Sequence, residues 1–183
     1  REGCALVVST AEGDQALLYA ANVRCRLAGR ILVPISTFSA RDRNQLYREV
    51  GKIDWSDYLD ADMTLAVDVV LANTAFDNSM YVAQRTKDAI VDQVRTKTGR
   101  RPNVNSAAPD LRLNLRIVRD QAVLSIDLAG QPLHRRGWRH GQGEAPLKET
   151  VAAAMLLRAG WPALAAQGRG LLDPFCGVGT LVI

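Results

Sequence analysis

Between residues 111 and 128 apolar and polar side chains alternate over two consecutive runs, and this pattern limits the fold more than any other stretch. In the first run Leu111, Leu113, Leu115 and Ile117 fall on one side and Arg112, Asn114 and Arg116 on the other. In the second, Leu124, Ile126 and Leu128 share a side. Successive side chains of a strand point to opposite faces, so the pattern specifies two half-buried strands. The polar break at Arg119-Asp120-Gln121 joins them as a hairpin. Ahead of them, residues 79–98 read as a helix with Met80, Ala83, Ile90, Val91 and Val94 on one side. Ser79 is placed to cap it and Gly99 to end it.

The remaining elements follow from the same signals. Residues 4–9 read as a strand, 14–29 as a helix ending at Gly29, and 30–35 as a second strand that Pro34 confines to a sheet edge. This β-α-β piece looks like half of a ferredoxin-like unit. Residues 41–52 form a short amphipathic helix, Asp54-Trp55-Ser56-Asp57-Tyr58 a loop, and 63–71 a valine-rich strand. A polar, arginine- and glycine-rich linker spans 131–146, a helix 147–159, and Leu171-Leu172 enters a final strand. The class is α+β.

With 183 residues, 48% of them apolar, the chain can bury a core without staples. Cys4, Cys25 and Cys176 lie far apart, no C-x-x-C occurs, and His134 and His140 are the only imidazoles. That argues against a disulfide framework and against a structural metal site. No apolar run approaches the ~18 residues of a membrane span, and no secretory signal opens the chain, so the default compartment is cytoplasmic. The chain starts at Arg1 almost directly on a strand and stops just after a glycine-rich turn, so a fragment of a longer protein is expected.

The net charge of +4 is unevenly spread. Residues 1–79 hold 8 basic and 11 acidic side chains, whereas residues 80–140 hold 12 basic and 5 acidic, a local +7. Most of the cations are arginine, whose planar fork suits phosphate and stacks on bases. A concentrated positive block is the footprint of a nucleic-acid partner, although a solvated face gives the same count. Within it, Leu133-His134-Arg135-Arg136-Gly137-Trp138-Arg139 offers three cations and a stacking surface, a phosphate clamp or a strut whose arginines pair with carboxylates. Both histidines read as solvent-exposed linker residues. Lys87 falls inside the apolar arc of helix 79–98, so its ammonium must snorkel out or pair with an acid.

The most specific motif is Asp173-Pro174-Phe175-Cys176-Gly177-Val178-Gly179-Thr180 after the apolar pair Leu171-Leu172. A strand running into glycines at 177 and 179 begins a nucleotide-binding βα unit, where a ligand approaches the backbone. It resembles the S-adenosylmethionine-binding first motif of the amino-group RNA and DNA methyltransferases. Ala145-Pro146-Leu147-Lys148-Glu149-Thr150 is similar to the segment that precedes that motif and packs against the cofactor pocket, and it also reads as a plain linker helix. Thr86-Lys87-Asp88-Ala89-Ile90-Val91-Asp92, with Arg101-Pro102-Asn103-Val104, resembles the THUMP RNA-binding domain. The arginine-rich stretch at 133–139 resembles the joint between the two.

In this order the motifs are similar to those of the THUMP-bearing guanine-N(2) methyltransferases of large-subunit ribosomal RNA. The resemblance implies a partial ferredoxin-like region over 1–58 and a THUMP domain over 59–133. A linker and helix over 134–170 and the start of a Rossmann-like methyltransferase domain over 171–183 follow. It implies methyl transfer from S-adenosylmethionine to the exocyclic amine of an rRNA guanine, with no metal and no membrane. Asp173, Phe175, Gly177, Gly179 and Thr180 are the implied cofactor residues. Lys87, Arg100, Arg101, Asn103, Arg135, Arg136 and Arg139 are the expected RNA contacts. Neither the family's N-P-P-Y catalytic motif nor most of the Rossmann-like sheet occurs, so residues 1–183 alone are expected neither to catalyse nor to hold the cofactor. A tRNA guanine-N(2) methyltransferase and a stand-alone RNA-binding module are the alternatives. The cofactor motif argues against the latter. A DNA amino-methyltransferase shares that motif but carries no THUMP domain.

Overall fold

The alternating runs form two strands, Leu111–Val118 and Gln121–Asp127, paired antiparallel from Leu113↔Ile126 to Val118↔Gln121. The turn is Arg119 and Asp120, with Arg119 at φ 54° and its N–H donated to the carbonyl of Ala72 at 3.1 Å. Leu111, Leu113, Leu115, Ile117 and Leu124 are buried. Leu128, expected inward, is 42% exposed because the second strand ends at Asp127, one residue before it.

The computed structural model describes residues 15–137 and 147–182, which divide into two compact units. The first is Leu32–Gly130. Here β1 (Leu32–Ser39), α2 (Arg43–Gly51), β2 (Thr64–Ala72), α3 (Ser79–Thr98), β3 (Asn103–Val104), β4 (Leu111–Val118) and β5 (Gln121–Asp127) form one sheet with two helices; α1 (Gln15–Arg24) precedes it in the chain. The strand order is β1-β5-β4-β2-β3. β2 runs parallel to β4 from Leu65↔Leu111 to Ala72↔Val118, and parallel strands need a long crossover, which α3 supplies. β1 lies at one edge, as Pro34 requires, with its register against β5 shifting between Pro34 and Ser36. Because β1 pairs with β5 and α2 packs on α3, the domain boundary expected at 58/59 falls inside this unit.

Both helices have identifiable starts and stops. Asp42 caps α2, accepting from the N–H groups of Asn44 and Gln45 at 2.8 and 2.9 Å, and these bonds hold its carboxyl below the usual range. For α3 the cap is Asn78, accepting from the Tyr81 N–H at 3.0 Å, and not Ser79, which is already the first helical residue. Gly99 ends α3 at φ 72°, a left-handed conformation that favours glycine. The buried side of α3 is Val82, Thr86, Ala89, Ile90, Val91 and Val94. Met80, expected with them, is 79% exposed, since it sits at the rim of that arc in the first turn.

Trp55, placed in a loop by the sequence, occupies a short 3-10 turn and is fully buried. Its indole N–H donates to the Val50 carbonyl at 3.0 Å. Gln93 of α3 pins the same segment, accepting from the Trp55 N–H at 2.9 Å and donating to the carbonyls of Gly51 and Ile53 at 2.7 and 2.6 Å. A half-buried amide with three good bonds fixes a loop as firmly as a short strand would.

The second unit contains α1, α4 (Glu149–Arg158) and α5 (Trp161–Ala166). α1 ends at Arg24, short of the expected Gly29. The strand expected at Leu171-Leu172 does not form: residues 171–182 run through turns, with no parallel partner beside them among the described residues. A parallel strand without a neighbour has nothing to bond to. The strand expected at 4–9 lies outside the described residues.

Two outcomes test this account. Leu115→Ala, at the centre of the buried face, should cost about 2–5 kcal/mol of unfolding free energy in a denaturant titration. The second concerns Asp54, whose carboxylate is bonded by Lys97 first and then by Ser56, which lowers its pKa to about 2. Its contribution is complete above an unfolded pKa of about 3.9 and is lost as pH falls through the folded value. Thermal melting should therefore decline between about pH 4 and pH 2, and Asp54→Asn should flatten that limb.

Candidate functional site

The folded chain does not present the charge that the sequence suggests. Three cations of the basic block pair with acids from the acidic first block: Lys97 with Asp54, Arg100 with Asp62, and Arg112 with Asp68 at 3.1 Å. Arg112 also donates to the carbonyl of Ser106 at 2.9 Å. The first two pairs are exposed and add little stability, whereas the Arg112 side chain is only 11% exposed; all three cancel local field. The side chains of Arg95, Arg101, Arg116 and Arg119 are exposed and make no hydrogen bond or ion pair among the described residues, so in a unit whose 13 basic and 13 acidic residues balance they are cations left free to meet an anion.

The expected RNA contacts separate accordingly. Arg100, Arg101 and Asn103 stand together in the turn from α3 to β3, at the open edge of the sheet. Arg100 forks onto Asp62 with both terminal nitrogens, yet its side chain stays 66% exposed. Lys87 does not join them. It is bonded to Asp88 at 3.1 Å with its side chain 20% exposed, and it lies about 16 Å back along α3 at 1.5 Å per residue. Arg135 is exposed.

Arg136, expected on phosphate, grips protein backbone. Its Nε donates to Leu133 at 2.8 Å, Nη1 to Val23 at 2.9 Å and Nη2 to Cys25 at 2.8 Å, all carbonyl acceptors. The last carbonyls of a helix lack intrahelical donors and carry partial negative charge, so a guanidinium is a natural cap there. A fourth bond, from the Leu133 N–H to the Gly29 carbonyl at 2.8 Å, adds to this tie. Arg139, Trp138 and His140 lie outside the described residues. His134, expected in solvent, is half-buried in the wall of a cleft.

That cleft belongs to the second unit, has a volume of about 880 Å³ and is mostly apolar. Thr150, Ala152, Ala153 and Leu156 of α4 face it together with Thr180 of the glycine turn. The structure thus brings Thr180 to the helix expected beside the cofactor. Asp173, Phe175, Gly177 and Gly179 do not line it. Asp173 accepts from the Phe175 N–H at 3.1 Å, closing a small Asx turn, and Phe175 is 93% exposed. Gly177 and Gly179 have φ of 54° and 78°, and a Cβ on Gly177 would meet nothing nearer than the Phe175 carbonyl oxygen at 4.0 Å. An open, left-handed backbone turn beside small side chains fits the approach of a small polar ligand.

Sequence reading missed one set of residues. Across the α2–α3 seam the guanidinium of Arg43 lies over the Tyr81 ring at 5.8 Å and that of Arg85 over Tyr47 at 4.1 Å. The partners are far apart in sequence; the only available signal was an Arg/Tyr pair four residues apart on each helix. No group of metal-ligating side chains and no helix long and apolar enough to cross a membrane occurs among the described residues.

Comparison with known proteins agrees with this layout. A THUMP domain model matches residues 40–127, and an RMKL-like methyltransferase domain model matches residues 136–183. The ribosomal RNA large subunit methyltransferase K/L of Syntrophotalea carbinolica is 50% identical over 94% of this chain, which spans 24% of that protein's length. Among solved structures, a Listeria monocytogenes protein described as a predicted N6-adenine-specific DNA methylase superposes with a TM-score of 0.78 at 32% identity, covering 92% of this chain and 43% of its own. The methyltransferase candidate SMU.472, complexed with SAH, gives 0.68 at 30% identity, over 83% of this chain and 39% of its own. With its α+β unit matched by one model and its glycine turn by the other, the chain carries a THUMP domain followed by RMKL-like methyltransferase sequence and is similar to methyltransferases that combine the two.

Proposed function

We propose that this chain is the RNA-holding part, with the first cofactor-binding turn, of a cytoplasmic S-adenosylmethionine-dependent enzyme that methylates the exocyclic N2 amine of a guanine in large-subunit rRNA. The observation that carries this reading is the 50% identity, over nearly the whole chain, to a protein named for methylating that RNA. Arg100, Arg101 and Asn103 at the β3 edge, with Arg116 and Arg119 on β4 and its turn, take phosphates, and Arg135 of the other unit takes a phosphate of its own. Phosphate contacts fix register and orientation and leave the choice of base to other groups. The cofactor, when bound, supplies the methyl group. Asp173 and the backbone of Gly177 and Gly179 would hold its polar end, while Phe175 and Thr180 would border it. Arg136 binds no RNA in this scheme; it fixes the linker to the end of α1.

Two measurements bear on this. Incubated with labelled S-adenosylmethionine, the full-length protein should transfer label to naked large-subunit rRNA; preferential labelling of tRNA or of DNA overturns the substrate assignment. The 183-residue chain should bind the same RNA with a log–log salt slope of about 0.7–0.9 per phosphate neutralised. Arg101→Ala should reduce that slope by roughly one phosphate's worth. Arg136→Ala should lower the melting temperature and leave the slope unchanged. A slope that responds to Arg136 and not to Arg101 reverses the assignment.

A further inference from the structure

The seam between α2 and α3 carries an arrangement that core packing leaves unexplained. On α2, Arg43 and Tyr47 lie four residues apart; on α3, Tyr81 and Arg85 do the same, so each pair occupies one helix face. Across the seam they are reciprocal, each cation opposite the other helix's ring, at 5.8 and 4.1 Å. The result is a ladder of alternating guanidinium and phenol. Its outer end is open: Arg43 is exposed, Tyr81 is 43% exposed and Met80 beside it 79%.

The arginines are not completing ion pairs. Of the two acids on the same side of α3, Asp88 is bonded to Lys87 at 3.1 Å, and Asp92 accepts the Tyr47 hydroxyl at 2.6 Å. Arg85 makes no hydrogen bond or ion pair among the described residues, and its Nε is sealed from solvent without a partner. Burying an unmatched donor is unfavourable, so the stack on Tyr47 is what holds it. Asp92 in turn fixes the Tyr47 ring. A guanidinium held flat on one side by a ring keeps its other face, and its terminal N–H groups, for a ligand.

We propose that this ladder is a stacking platform for unpaired RNA bases, an assignment that rests on the RNA-binding reading above. A base can lie on the open face of Tyr81 or of an arginine, with the terminal guanidinium nitrogens reaching its phosphate or its edge. Base-paired RNA hides its ring faces within the helix, so the platform selects single-stranded or bulged segments. A run of carboxylates fits less well, because it would leave the rings without a purpose. Arg85 lies about 20 Å along α3 from the turn that carries Arg101, so duplex phosphates at the sheet edge and a splayed base on the ladder form two separate contacts.

The test uses the 183-residue chain, an RNA stem with a single-stranded tail bearing a fluorescent adenine analogue, and the same stem made blunt. The wild-type chain should quench the analogue and prefer the tailed RNA by roughly five-fold or more, the scale of one stacked base. Replacing both arginines, Arg43→Lys with Arg85→Lys, keeps the charge and removes the planar fork. It should abolish the preference and the quenching while leaving blunt-stem affinity and its salt slope intact. Tyr81→Ala, on the open rim and clear of the Tyr47–Asp92 bond, should do the same with an unchanged melting temperature, which keeps the test valid if the double variant unfolds. Salt-sensitive binding of both RNAs without a tail preference overturns the ladder and leaves the RNA reading standing. No binding to either RNA overturns both. A polyglutamate peptide that binds the wild-type chain more tightly than the tailed RNA does, and loses that binding in the variants, assigns the seam to an acidic protein and overturns the proposal.

Discussion

Eight consecutive residue pairs hold β2 parallel to β4, and the rest of the first unit is arranged around them. Two parallel neighbours cannot be joined by a tight turn, so the chain must cross from the end of β2 back to the start of β4. α3 makes that crossing and lays Val82, Thr86, Ala89, Ile90, Val91 and Val94 on the sheet. Once α3 is placed, α2 has a groove beside it, and Gln93 and Trp55 anchor the segment between. β5 folds back on β4, and β1 then closes the far edge. Breaking the β2–β4 pairing would leave α3 without a floor and the seam without a second wall.

The same pairing explains the charge. β2 and its flanks carry Asp62 and Asp68, while β4 and the end of α3 carry Arg112 and Arg100. Bringing the strands into register brings an acidic stretch of sequence onto a basic one. A positive segment of chain thereby becomes a mixed surface with a few unpaired arginines at its margins. Those margins, the β3 edge and the β4 turn, hold Arg101 and Arg119, whose guanidinium groups make no ion pair among the described residues although Asp62, Asp110 and Asp120 lie in the same segments.

Much of this was legible in the residues. Strict alternation at Leu111, Leu113, Leu115 and Ile117 specified the buried face, Pro34 the edge, and Gly99 the end of α3, because each rests on short-range geometry that tertiary context does not overrule. The glycine turn at 177–179 and the THUMP-like run at 86–92 pointed to the two domain families. What escaped was non-local. Trp55 looked like a loop residue because its partners, Val50 and Gln93, meet it only after α3 packs. Arg136 looked like a free cation because the carbonyls of Val23 and Cys25 that it bonds lie more than a hundred residues away. Leu171 and Leu172 have strand-like character, yet a strand is a property of a pair. Asn78 displaced Ser79 as the cap by a single position, a shift that side-chain chemistry alone does not resolve.

The path of the chain into and out of the sheet has a further consequence. Leu32, the first residue of β1, stands opposite Asp127, the last of β5, on adjacent antiparallel strands. Such partners are about 4.5–5.5 Å apart between Cα atoms. The unit between them therefore arrives and leaves at a single point, and a host fold could receive it in a surface loop without prying its own ends apart. Loop closure of this kind adds only a slowly growing entropic cost. The sheet with its two helices is in effect a transplantable cassette, whose insertion into an unrelated scaffold requires no circular permutation and no long linker.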